Sequence, residues 1–131
     1  MNFKYIPKPL ASLIHLLLIL LAFLLFSARK NESLRFEFLQ GSFPDFHLHI
    51  SNFSLAFILV AGIGYFWLLM GISFKYVVCF SLLILLTNIV YESWIPILNT
   101  PDCIDAWYGV AGVGLATIEI YAVKRWGLKA S

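Results

Sequence analysis

The chain has 131 residues, of which 61% are hydrophobic and only 12% charged, with a formal net charge of +2. That is too little polar surface to cover a water-soluble globule of this size, and four apolar spans of about 20 residues would use most of the length, so the composition excludes a soluble domain and leaves room for one membrane domain. The Lys and Arg residues sit at span ends and form no stripe, which excludes a nucleic-acid footprint.

In chain order, Lys4, Lys8 and two prolines precede an almost unbroken run of Leu, Ile, Ala and Phe from Leu10 to Ala28. A positive head before an apolar stretch also describes a signal peptide, but the run is longer than a signal core and reads as the first transmembrane helix, over about 10–28. After Arg29 and Lys30 the pattern alternates: Leu34, Phe36 and Phe38 against Arg35 and Glu37, then Phe46, Leu48 and Ile50 against His47 and His49. Period two predicts strands, and Gly41 and Pro44 between the runs suggest a short amphipathic β-hairpin resting on the membrane surface between the first two helices.

The second and third spans are expected over about 53–72 and 74–95, joined by a tight helical hairpin, and the fourth over about 105–123, closed by Lys124 and Arg125. The fold class is therefore an all-α membrane protein, with four transmembrane helices in a single domain over 1–131. An even number of spans puts both termini on one side. That side holds Lys4, Lys8, Lys75, Lys124, Arg125 and Lys129 against Arg29, Lys30 and Arg35 on the other, which makes the termini cytoplasmic and the membrane, by this reading, a bacterial inner membrane.

Between the third and fourth spans lies the stretch Tyr91 to Gly114, with Glu92, Asp102 and Asp105 and no base. Charge at the edge of a bilayer is costly and calls for a reason. Asp102 and Asp105, spaced i, i+3, share a helix face and can present two carboxylates beside Glu92, a set able to hold a cation or a basic partner. The plainer reading makes Thr100, Pro101 and Asp102 the cap and first turn of a helix, and pairs Glu92 with Arg29, Lys30 or Arg35. His47 and His49 project to one side of a strand, where with Asp45 or the acidic turn they would bind a divalent metal or line an outward ligand site; alternating histidines on a solvent face also need no ligand.

His15 and Glu119 lie at similar depth inside the end that carries the termini, so they can meet across the first and fourth helices as a structural polar pair. Alternatively, Glu119 reaches Lys124 or Arg125, leaving His15 to Asn88 or Thr87. Glycines at 62, 64 and 71 and at 109, 112 and 114 allow close helix approach, whereas the first span is smooth with Leu and faces lipid or a partner. Cys79 and Cys103 are poorly placed to bridge, and neither has a second ligand nearby for a metal. No Ser-x-x-Lys, nucleophile elbow, phosphate loop or His-Glu-x-x-His is present, so the sequence assigns no catalytic residue, metal or cofactor.

From Glu92, through Asp102 and Asp105 of DCID, to Gly109 and Gly112, the chain resembles the VanZ-like family of small bacterial membrane proteins. An apolar span ending in Glu, a short turn, Asp-x-x-Asp and a Gly-containing last helix carry the resemblance, together with Asn52 and Phe53 upstream. It differs from that pattern at Ile95, Asn99, Thr100 and Gly109. The resemblance implies a non-enzymatic envelope protein binding a lipid-linked or surface ligand at the outward acidic face. The alternatives are an accessory subunit that packs its smooth helices against a larger membrane complex, or self-associates, with the acids as a docking surface, and a small membrane enzyme or ion-handling unit using Glu92, Asp105 and His47.

Overall fold

A computed structural model describes residues 3–28, 46–94 and 103–130, with side chains at 3–28, 50–91 and 106–130. The described residues contain four helices long and apolar enough to cross a membrane: α1 (Pro9–Ala28), α2 (Phe46–Leu69), α3 (Phe74–Trp94) and α4 (Cys103–Ala122). At 1.5 Å per residue, 20 residues reach about 30 Å, the thickness of a bilayer's hydrocarbon core. Proline opens α1, where its missing N–H removes no helical bond.

The turn between α2 and α3 is four residues, Met70 to Ser73, and its geometry rests on Gly71 at φ +85°. Gly71 N–H donates to the Leu68 carbonyl and Ile72 N–H to the Trp67 carbonyl, each at 3.0 Å, the paired bonds of a Schellman ending that needs a left-handed residue.

At the far end of the sequence, α4 closes in a π-helical turn, Val123–Gly127, and runs into a short strand β2 (Leu128–Ala130). That strand pairs antiparallel with β1 (Tyr5–Pro7) in the register Tyr5↔Ala130, Ile6↔Lys129 and Pro7↔Leu128. Lys8 N–H adds a bond to the Gly127 carbonyl at 2.8 Å. Both chain ends are thus clasped together at one end of the bundle, here called the terminal end.

The helices are not equivalent. α2 and α4 form the central pair, α1 packs on α2, α3 packs on α4, and α2 touches α3 only lightly. The central seam is built of small residues, Ala56, Ala61 and Ala116 with Val60, Phe57 and Val113, and Ala22 brings α1 onto it. Gly112 lies against the Phe53 backbone carbonyl, so the two backbones meet where neither carries an intervening side chain. A second cluster, Leu68, Val77, Ile120 and Val123, closes the terminal end.

Two expectations change. Phe46 to Ile50, the second limb of the anticipated β-hairpin, is helix and begins α2. The five-residue alternation runs into the apolar span without a Gly or Pro, and a continuing helix satisfies its own N–H and C=O groups at the membrane edge, where a strand would need a partner. The first limb, 34–38, lies outside the described residues. His47 and His49 accordingly stand on a helix and not on the anticipated strand, and their side chains lie outside the described residues. The second change is the location of the strands. Those that the structure does describe join the two chain ends.

Candidate functional site

The anticipated acidic residues fall at the end of the bundle opposite the clasp. Glu92 lies in the last turn of α3 and Asp105 in the first turn of α4, while Asp102 lies outside the described residues. The side chains at 92 and 105, like those at 47 and 49, are outside the described set, and so are the proposed cationic partners Arg29, Lys30 and Arg35. The structure thus places two of the acidic positions on helix ends at the same side of the bundle.

Below that end, α3 is tied to α4 by Asn88. Its amide Nδ2 donates to the Ala106 carbonyl at 3.0 Å. The amide lies directly against Gly109, where any side chain would collide with it. One more contact links the two helices deeper in the bundle: the Thr117 hydroxyl is 3.0 Å from Ser81 Oγ and 2.8 Å from the Val113 carbonyl, and Ser81 itself donates to the Val77 carbonyl at 2.8 Å. Back-bonding of this kind keeps hydroxyls satisfied where no water reaches.

Between α2 and α3, on the side away from their turn, lies a groove of about 290 Å³. Its residues change in character with depth. Asn52 and Tyr91, near the ends of their spans, and Thr87 and Asn88 form the polar portion; Leu55, Leu59 and Ile84 line the apolar remainder. Thr87 is exposed and donates to the Leu83 carbonyl, and Tyr91 is exposed beside it. The groove is thus polar toward the ends of the spans and apolar in its depth.

The second polar centre is inside the terminal half. His15 Nδ1 and Glu119 Oε1 are 2.7 Å apart, with both side chains about nine-tenths buried. The imidazole stacks on the Tyr65 ring at 3.9 Å between centroids and 10° between planes, and Tyr65 Oη shares a 3.0 Å hydrogen bond with Ser12 Oγ. Three helices thus supply one contact set, α1 with Ser12 and His15, α2 with Tyr65, and α4 with Glu119. The second carboxylate oxygen, Oε2, is buried with no partner among the described residues. Of the alternatives open from sequence, the structure selects His15 for Glu119 and gives Asn88 to α4. The depth match of His15 and Glu119 is legible along the chain; the Tyr65 stack and the Asn88 tie are not, although Gly109 marks the place where Asn88 lodges.

Among the described residues no three His, Cys, Asp or Glu side chains gather as metal ligands. Cys79 is exposed and free. No protein-family model, curated protein or solved structure matches the chain.

Proposed function

We propose that this chain is a non-enzymatic membrane protein of the cell envelope, of the VanZ-like kind its acidic turn resembles, that seats a lipid or lipid-linked ligand between α2 and α3. The observation that carries the reading is the groove whose polar end, Asn52, Thr87, Asn88 and Tyr91, adjoins the span ends and whose depth is Leu55, Leu59 and Ile84. The tail of the ligand lies in the trough and its head reaches the surface beneath Glu92 and Asp105, whose helix ends stand on that side. Six basic residues on the clasped end support cytoplasmic termini and, with them, a groove in the outer leaflet of a bacterial inner membrane.

Native mass spectrometry of the chain, extracted in mild detergent, tests this. One lipid retained per chain or per self-oligomer is the expected result. Thr87→Trp, which fills the groove from an exposed position, lowers retention about tenfold or more, equivalent to about 1.4 kcal/mol. Retention unchanged by Thr87→Trp would remove the groove from the argument.

A second reading has its own observation. Of the α1 span only 6% is buried, and Leu10, Leu13, Leu16, Leu17, Leu20 and Phe23 are all more than half exposed. Such a face suits an accessory subunit seated on a larger membrane complex, and stoichiometric companion proteins in the same spectra would favour it.

A further inference from the structure

The chemistry of the groove between α2 and α3 restricts what it can hold. Among the described residues that line it none is charged: the polar wall is Asn52 from α2 with Thr87, Asn88 and Tyr91 from α3. The Lys and Arg residues whose side chains are described all lie at the clasped end, in segments 3–8, 70–76 and 123–130. A phosphate or carboxylate drawn into the groove thus meets no cation among the described residues, and an anion withdrawn from water without one is strongly disfavoured.

The uncharged polar groups are themselves partly committed. Thr87 Oγ1 donates its hydrogen to the Leu83 carbonyl at 2.8 Å, which leaves that oxygen only lone pairs to offer. Asn88 Nδ2 donates to the Ala106 carbonyl at 3.0 Å and keeps one further N–H. The phenol of Tyr91, an exposed residue, both donates and accepts. A complementary head brings a hydrogen for Thr87 and oxygens for the donors around it. A sugar hydroxyl does both, a phosphodiester only accepts, and a quaternary ammonium does neither. Depth adds a second restriction. Tyr91 is the last residue of the α3 span and Thr87 lies one turn, about 6 Å, inside it, after which Ile84, Leu55 and Leu59 leave only apolar surface. The polar band is therefore about one helical turn deep and passes directly into the depth of hydrocarbon chains.

We infer, from the lipid seat proposed above, that its occupant is a glycolipid whose uncharged sugar is carried directly on the glycerol, with Thr87 as the acceptor that selects a sugar hydroxyl and Asn88 and Tyr91 as donors to the sugar oxygens. A glycosyl diacylglycerol has this order of parts, sugar, glycerol and chains, with no phosphate between them. Each such hydrogen bond contributes about fivefold in affinity.

The full chain in tetraethylene glycol monooctyl ether, a detergent without sugar, is titrated separately with dioleoyl monoglucosyl diacylglycerol, dioleoylphosphatidylglycerol, dioleoylphosphatidylcholine and dioleoylglycerol and read by native mass spectrometry. The glucolipid is expected to be retained about tenfold or more above each of the others, the effect of two hydrogen bonds. Thr87→Val removes the oxygen and keeps the shape; it lowers glucolipid retention about fivefold, while Thr87→Ser preserves it. Phosphatidylcholine, with no hydrogen to give Thr87, changes by less than about twofold in both variants. Position 87 is exposed, and circular dichroism establishes that the variants are folded. Phosphatidylglycerol retained as well as the glucolipid overturns the uncharged head, and dioleoylglycerol retained as well overturns the sugar. A Thr87→Val loss shared equally by phosphatidylcholine overturns Thr87 as the selecting acceptor. Each of these outcomes leaves the lipid seat standing; the seat itself falls, and this inference with it, when Thr87→Trp lowers the retention of none of the four lipids.

Discussion

At the scale of single residues, the contact with most at stake is the one between His15 and Glu119. A carboxylate inside an apolar span is retained only with a partner, and removing that partner costs more than removing the pair. Interhelical hydrogen bonds in membranes average about 0.6 kcal/mol, while breaking a buried ion pair costs about 3–5 kcal/mol. His15→Leu, which strands the carboxylate, is expected between these limits, at about 2 kcal/mol. Glu119→Gln keeps an oxygen facing Nδ1 and should cost less than about 1 kcal/mol. The double variant His15→Leu with Glu119→Leu should be more stable than the sum of the single Leu variants implies. Unfolding in mixed SDS micelles gives all the values, and strict additivity would show that the 2.7 Å contact contributes nothing. The depth match of these residues is readable from the chain because helical rise is uniform. The stacking of Tyr65 is not, because it depends on how α1 and α2 are rotated against each other.

At the scale of elements, the glycines separate into classes that composition cannot distinguish. All six in the second and fourth spans look alike in the sequence, as small residues. In the fold, Gly112 meets a backbone carbonyl, Gly109 meets the Asn88 amide, Gly64 meets Val77 and Ile120, Gly71 sits at positive φ, and Gly62 and Gly114 meet nothing within 4 Å. The order of effects depends on what can move. Gly112→Ala collides with the Phe53 main chain, so α2 and α4 must separate, at about 2–3 kcal/mol as in other overpacked seams. Gly109→Ala displaces a side chain and its bond to Ala106, for about 1–2 kcal/mol. Gly114→Ala fills open space and removes glycine's backbone freedom, stabilising by about 0.5–1 kcal/mol. Thermal unfolding in one detergent ranks the three; a Gly114→Ala variant less stable than Gly112→Ala would mean that the helix pairing is wrong. The alternation at Phe46 to Ile50 belongs to this scale too. Five alternating residues fit a strand or a helix equally, and the long apolar helix that continues from them without interruption decides between the two.

For the whole molecule, the uneven burial of its helices matters more than their number. The α2 and α4 spans are 39% and 33% buried, against 6% for α1 and 11% for α3, so two central helices carry two peripheral ones. The length and hydropathy of the spans tell where they lie, and the glycines mark α2 and α4 as thin. Leucine gives no information about the outer helices, because lipid and a protein partner are equally apolar solvents for it. The same equivalence yields a prediction. No hydrophobic gain attends a leucine moving from lipid to lipid, so Leu13→Ala, Leu16→Ala, Leu17→Ala and Leu20→Ala together should leave the fold nearly as stable, with losses of about 0.5 kcal/mol each or less. Ala22→Leu, by contrast, thrusts a large side chain into the α1–α2 seam, where Ala22 is 3% exposed, and should cost about 1–3 kcal/mol. Unfolding measurements on the quadruple variant and on Ala22→Leu compare the two. Native mass spectrometry of the quadruple variant then bears on function. If the leucine face seats a companion protein, the companion is lost while the fold stays; if it faces lipid, the lipid retention proposed for the groove between α2 and α3 is unchanged, since that groove draws no residue from α1.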